Sequence, residues 1–244
     1  MALSFILKNL KFLKLKKPPN CTAVIAAAGV SVRCEGEDKL FFSINDKPVL
    51  AYTLEVFENC KLINEVIVVA HKERVDSISK LCSEYGFKKV SKIMSGGSVR
   101  SESVMNGIYA ASRNTNLIAI HDGARPCLDI ETLEKTIIAA GKHGAAAPAV
   151  AITSTIKRVE NDIISATVDR DGLYEIQTPQ IFRTEVIKAA LTKVLKKSID
   201  VTDDCMAVEM LGFPVHTVEG SRRNIKITDN QDFHIIEAFL NEED

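Results

Sequence analysis

Tryptophan is absent from this 244-residue chain and aromatic residues make up only 6% of it, so no row of stacking platforms for nucleobases is advertised. A formal net charge of −1 gives no support for a nucleic-acid-binding surface. Six cysteines are present, at 21, 34, 60, 82, 127 and 205, but none form a CxxC pair and no histidine cluster stands near them. Zinc and dithiol redox motifs are therefore unsupported, and thiols in this pattern fit a reduced, cytoplasmic protein. No uninterrupted apolar run is long enough to span a bilayer. Neither the phosphate-loop spacing GxxxxGK followed by Ser or Thr nor the dinucleotide fingerprint GxGxxG occurs. Internal repeats, low-complexity tracts and long linkers are missing as well.

What is present is enough apolar residue, 46% of the chain, to build a substantial core. Continuous apolar runs at 23–27, 65–70, 117–120 and 145–150, with a weaker one at 89–93, alternate with helical patterns at 49–57, 73–85, 101–111 and 130–142. Such alternation predicts an α/β fold with a mostly parallel sheet covered by helices on both faces. Ser101 is a candidate N-cap for the third of these helices. Two β-type runs at 155–159 and 163–168, separated by Glu160-Asn161-Asp162, break the rhythm and predict a β-hairpin projecting from the sheet. Helices near 184–197 and 203–211, a strand at 214–218 and a final helix over 232–241 complete the reading.

One domain is expected over 21–244, with the hairpin forming an arm at about 150–172. Residues 1–20 stand apart. Leu3, Ile6, Leu7, Leu10 and Leu13 recur at helical spacing among Lys8, Lys11, Lys14, Lys16 and Lys17, and Pro18-Pro19 ends the segment. A basic amphipathic helix of this kind can lie on an anionic membrane. A poorly ordered extension, or a helix packed on a neighbour, is the favoured reading.

Four clusters follow strand-like runs, where open α/β sheets bind their ligands. The first runs from Thr22 to Lys39, TAVIAAAGVSVRCEGEDK. Ala27, Ala28 and Gly29 let the backbone approach a ligand closely, and Arg33 and Lys39 add a planar fork and a point charge suited to polyphosphate. This reads as a nucleoside triphosphate cradle, against the alternative of a tight turn carrying surface charges. The second cluster is Ser95-Gly96-Gly97-Ser98, with Arg100 and Ser103 after it. It can admit a base or phosphate at a helix N-terminus, or it is a simple helix-entry turn. The third is His121-Asp122-Gly123-Ala124-Arg125-Pro126. Asp122, just past a strand, is placed to hold a divalent cation bridging phosphates, and Arg125 can take a phosphate. The competing reading pairs the two as an ion bridge, and His121 reads as a packed structural residue. The fourth is 224–228, NIKIT. Strand alternation would put Asn224, Lys226 and Thr228 on one face and Ile225 and Ile227 in the core, or leave Lys226 solvated on an edge strand.

In order and spacing, AAAG…R…K, GG…S, HDGARP, TPQ at 178–180, TDD at 202–204 and NIKIT together resemble the 2-C-methyl-D-erythritol 4-phosphate cytidylyltransferase family, from about Thr22 to about Leu240. The resemblance implies a Rossmann-like nucleotidyltransferase fold, a homodimer, CTP and methylerythritol phosphate as substrates, and Mg²⁺ or another divalent cation. It assigns Ala27, Ala28 and Gly29 to the nucleotide, Arg33 and Lys39 to the triphosphate, and Gly96, Gly97 and Ser103 to the cytosine and ribose. Asp122 would sit near the metal and the sugar hydroxyls, with Arg125, Thr178 and Lys226 completing the site. Thr155 and Arg170 on the arm would reach the sugar phosphate bound to the other subunit. Departures from the family pattern fall at Ser31, Cys34, Ser98 and Arg223.

The implied reaction needs no covalent intermediate, because the nucleophile is already a phosphate dianion. The barrier lies in repulsion between anions, which cations relieve. Arg33, Lys39, Lys226 and Mg²⁺ fit that task, and the sequence offers no obvious general base. Ribitol-5-phosphate cytidylyltransferases carry similar motifs; the HDGARP form and the TPQ segment favour methylerythritol phosphate. A catalytically silent nucleotide-binding module is the alternative of another class. Arg33, Lys39, Asp122 and Lys226 together argue against it, since binding alone does not require all four.

Overall fold

The computed structural model describes residues 20–29 and 38–242. The expected extension over 1–20, apart from Asn20, and Ser31, Arg33 and Cys34 lie outside the described residues. Strand β1 (Cys21–Ala27) pairs in parallel with both β4 (Ile63–Ala70) and β6 (Leu117–Asp122), and β4 pairs in parallel with β5 (Val90–Ser95). Beyond β6 the sheet continues through β11 (Gln180–Arg183) to β7 (Ala145–Ala151), which also pairs with β10 (Tyr174–Ile176) and with β12 (His216–Glu219). The two short strands β10 and β11 are antiparallel to β7, and β11 is antiparallel to β6 as well. The α/β reading with a mostly parallel sheet holds.

Helices cover both faces, as the continuous apolar strands require. Along β1, Ala23 and Ile25 enter one core with α1 (Val49–Asn59), α2 (Val75–Glu84), α4 (Ile130–His143) and α7 (Asn230–Asn241). Val24 enters the other, with α3 (Arg100–Ala110), α5 (Thr184–Lys196) and α6 (Asp204–Glu209). Helix α3 lies close on the sheet because Gly107 has no side chain; a Cβ there would stand 2.5 Å from Val24 Cγ1 and 2.9 Å from Val69 Cγ2. Any larger residue must push the helix outward, and overpacking of that kind costs about 1–3 kcal/mol.

The arm is a separate two-stranded sheet of β8 (Ile156–Glu160) and β9 (Ile163–Val168). Asn161 and Asp162 both take positive φ, 51° and 62°, the twist that a two-residue hairpin turn needs. A smaller hairpin of the same kind, β2 (Ser43–Ile44) and β3 (Lys47–Pro48), turns on Asn45 and Asp46.

Two local expectations fail. Ser101 does not cap α3: the N-cap is Val99, with no side-chain cap bond, and Ser101 lies inside the helix. The 224–228 segment is no strand. Asn224 donates through Nδ2 to the Thr178 carbonyl at 2.8 Å, and the Ile227 N–H donates to the Ala124 carbonyl at 2.9 Å. These partners replace a ladder and still carry Ile227 into the core.

Candidate active site

Because β1, β5 and β6 run parallel, their C-terminal ends share one edge of the sheet. There Ala26–Gly29, the loop after β5 and Asp122 surround a cavity of about 350 Å³, with Lys39 and Lys226 also in its wall. Of the residues singled out in the sequence, Ala27, Ala28, Gly29, Lys39, Gly97, Ser98, Arg100, Ser103, Asp122, Ala124 and Lys226 line it, and Gly96 does not.

The glycine pair is constrained by its neighbours. A Cβ on Gly96 would stand 2.6 Å from Ser103 Oγ and 3.0 Å from Ala28 Cβ, and one on Gly97 would run into the Glu102 side chain at 2.3 Å. The hydroxyl of Ser103 accepts from the Gly97 N–H at 3.0 Å and donates to the Val99 carbonyl at 3.1 Å. The Glu102 carboxylate takes the Ser98 N–H and hydroxyl at 2.7 and 2.8 Å. The loop entering α3 is thus tied on both sides.

Asp122 is the electrostatic centre, 8% exposed at the end of β6. Its Oδ2 lies 2.9 Å from Lys226 Nζ and 3.6 Å from Arg125 Nε, and its Oδ1 lies 3.8 Å from Arg100 Nη2. Burial opposes its charge, but Lys226, then Arg100 and Arg125, more than offset this and hold the carboxyl down to about 2. The ion bridge with Arg125 is therefore present. Arg125 is itself buried, donates to the Asn224 carbonyl at 2.6 Å and does not line the cavity. Thr178 also lies behind the wall, where its hydroxyl accepts from the Asp122 N–H at 3.2 Å. Lys39 Nζ reaches into the 224–228 segment and donates to the Ile227 carbonyl at 3.1 Å.

Thr155 and Arg170 are not in the wall of this cavity. Arg170 donates to the Thr153 carbonyl and borders a separate hollow with Ala151 and Tyr174 at the root of the arm. Among the described residues no group of three or more His, Cys, Asp or Glu could hold a metal ion, so Asp122 would have to share any divalent ion with ligand oxygens, the usual mode for Mg²⁺.

Two further arginines matter that sequence reasoning did not assign. Arg100 lines the cavity beside Asp122, and only its place two residues past the glycines and a serine signalled it. Arg74, from the turn before α2, donates to the carbonyls of Gly29 at 3.2 Å and Ala27 at 3.4 Å and pairs with Asp38. It ties the end of β1 to the chain around Lys39, and no local pattern announces it.

His121 is fully buried, with Nδ1 3.0 Å from the Thr178 hydroxyl and its ring tilted against Phe57. Burial lowers its pKa to about 4 from an ordinary 6.5. The unfolded chain therefore binds a proton first, and the stability contributed by the neutral ring is fully present above pH 6.5 and is lost as pH falls toward 4. The loss is on the order of 3 kcal/mol. Urea unfolding at pH 7 and pH 4.5 is expected to show this fall in wild type and a much smaller one in His121→Asn; equal falls would remove His121 as the cause.

The profile of the family described as 2-C-methyl-D-erythritol 4-phosphate cytidylyltransferase matches residues 21–242. The protein of that name from Clostridium acetobutylicum is 40% identical over 223 residues, covering 91% of this chain and 97% of its own. Its namesake from Caldanaerobacter subterraneus is 41% identical over 224 residues, covering 91% and 99%. The crystal structure of 4-diphosphocytidyl-2C-methyl-D-erythritol synthase from Anaerococcus prevotii superposes with a TM-score of 0.81 at 31% identity, covering 92% of this chain and 97% of that one. Identity of this order across nearly the full length of both partners, carried by the same fold, makes the chain a member of the 2-C-methyl-D-erythritol 4-phosphate cytidylyltransferase family.

Proposed function

We propose that this protein transfers the cytidylyl group of CTP to 2-C-methyl-D-erythritol 4-phosphate, giving 4-diphosphocytidyl-2-C-methyl-D-erythritol and pyrophosphate. The observation that carries the reading is a cavity at the sheet edge whose wall holds Lys39, Arg100 and Lys226 beside Asp122 and no imidazole among its described residues, the buried His121 lying outside it. A phosphate oxygen of the sugar phosphate attacks the α-phosphorus of CTP, the bond from that phosphorus to the bridging β-phosphate oxygen breaks, and pyrophosphate leaves. No proton has to be removed from the nucleophile. What must be supplied is positive charge held where anions meet.

Lys226, Lys39 and Arg100 supply it from the cavity wall, and Arg33, which lies outside the described residues, is assigned the same task. Ala27, Ala28 and Gly29 accept the nucleotide against bare backbone, and Gly97 and Ser103 face its base and ribose. A bound Mg²⁺ would neutralise triphosphate charge, with the ionised Asp122 as its protein ligand. Asp122 also orients the sugar hydroxyls. Arg125 and Thr178 act from behind, fixing Asp122 and the 224–228 segment. The arm pairs two protomers into a homodimer, in which Thr155 and Arg170 serve the neighbouring site. Among the described residues no helix is long and apolar enough to cross a membrane, and the enzyme is assigned to the cytoplasm, with residues 1–19 dispensable for turnover.

Purified protein with CTP and Mg²⁺ is expected to release pyrophosphate far faster with methylerythritol phosphate than with ribitol 5-phosphate. The opposite order would move the protein to the ribitol phosphate enzymes. CTP binding without pyrophosphate release on either sugar would make it a silent nucleotide-binding module.

A further inference from the structure

Asp204 is a buried carboxylate that the proposed reaction does not use. It is 1% exposed, stands at the first position of the six-residue helix α6 and does not line the cavity. A buried charge needs a reason, since desolvation works against it.

The start of α6 is satisfied without this side chain. Asp203 caps it, accepting from the Met206 N–H at 2.8 Å. Gln180 Oε1 accepts from the N–H groups of Asp204 and Cys205, each at 3.0 Å, and Gln180 Nε2 donates to Asp203 Oδ2 at 2.8 Å. Asp204 Oδ1 accepts no hydrogen bond. Among the described residues the carboxylate makes one polar contact, through Oδ2 to Arg100 Nη1 at 2.7 Å.

That contact divides the guanidinium. Nη1 is held by Asp204, which does not line the cavity, and Nη2 faces Asp122 Oδ1 at 3.8 Å, beyond hydrogen-bond reach. Without Asp204 the guanidinium of Arg100 would be free to close on Asp122 Oδ1 with a charge-assisted hydrogen bond. Arg100 would then block the carboxylate that orients the sugar.

We propose that Asp204 is a positioning residue for cytidylyl transfer: from outside the cavity it holds Arg100 back from Asp122, leaving both the Arg100 Nη2 edge and Asp122 Oδ1 open to the sugar phosphate. Gln180 of the TPQ segment extends the chain of support, because it holds the helix start from which Asp204 projects.

The inference rests on the cytidylyl-transfer reading, and the test separates the two. Four proteins are compared with CTP and Mg²⁺: wild type, Asp204→Asn, Arg100→Gln and the double variant. A wild type that turns over nothing defeats the reading; an active wild type beside an equally active Asp204→Asn defeats the inference. Asp204→Asn is expected to lower kcat/KM for methylerythritol phosphate about 10-fold, the scale of a misplaced positioning group, while KM for CTP stays within about twofold. In the Arg100→Gln background the same change is expected to cost nothing, because Asp204 acts only through Arg100. Equal losses in both backgrounds, or a loss of CTP binding in step with the melting temperature, would make Asp204 a structural residue and overturn the proposal. If Asp204→Asn alone does not fold, Arg100→Gln against the double variant decides: equal kcat/KM upholds the proposal, a further loss overturns it.

Discussion

Replacing Lys226 with alanine is expected to lower kcat by about 100-fold or more, the scale of losing one electrostatic stabiliser, with little change in melting temperature. The side chain is 40% exposed, so its removal opens no core cavity. The 224–228 segment keeps its seat, because Asn224 and Ile227 anchor it through backbone and core contacts rather than through the lysine. What is lost is the nearest cation to Asp122, at 2.9 Å. Two effects follow from one deletion. The meeting phosphates lose a positive charge, and the Asp122 carboxyl rises from about 2 toward the ordinary carboxylate range. The acid limb of the kcat profile therefore moves to higher pH in Lys226→Ala. Lys39→Ala is expected to match it in kcat without that pH shift, since Lys39 bonds to the Ile227 carbonyl rather than to Asp122. A Lys226→Ala enzyme with near-normal kcat would reduce the lysine to a surface ion pair.

Mixing two inactive variants is expected to restore activity. Arg170 is not in the cavity wall of its own protomer, and the arm that precedes it exposes Val159, Ile163 and Ile164 by 56, 70 and 61%. A lone hairpin carrying that much apolar surface is marginal in water and calls for a partner. If the arm crosses a two-fold dimer, Arg170 of one chain joins Lys39 of the other. Arg170→Ala and Lys39→Ala homodimers would each lack one member at both sites. After verified subunit exchange, a one-to-one mixture is expected to recover about a quarter of wild-type activity, because half the dimers are mixed and each holds one intact site. Activity no higher than that of either parent would confine Arg170 to its own chain.

The parts legible in the sequence are those set by unbroken local pattern. The buried strands β1, β4, β6 and β7 are continuous apolar runs, and the arm announces itself by two β-type runs about a polar turn. The strands β10 and β11 are not legible in the sequence, because they are short, lie on either side of Thr178-Pro179 and reverse the direction of the sheet. Their pairing runs Ile176↔Ala149 and then Ile181↔Ala146, so the register against β7 shifts between them, after Gln177, whose N–H still donates to the Pro148 carbonyl, and Thr178 meets Asp122 there. At 224–228 the alternating pattern was real but its hydrogen bonds go to loops and side chains, which periodicity does not report. Arg74 escapes sequence reading for another reason: it matters through residues far along the chain and sits in no repeating pattern. Asp204 is legible only as the last residue of the TDD segment, and its partner Arg100 lies 104 residues away, which no local pattern reports.

The place of β11 in the sheet bears on how the chain is made. β6 and β7 follow one another in sequence, yet β11 lies between them. When β7 emerges from the ribosome, the strand that joins it to the growing sheet has not been synthesised, and neither has β12. At about 5–20 residues per second, the arm and the TPQ segment impose a wait on the order of seconds, with an alanine-rich apolar strand unpaired. Translation speed through the arm thus sets how long β7 is open to chaperones or to a neighbouring nascent chain.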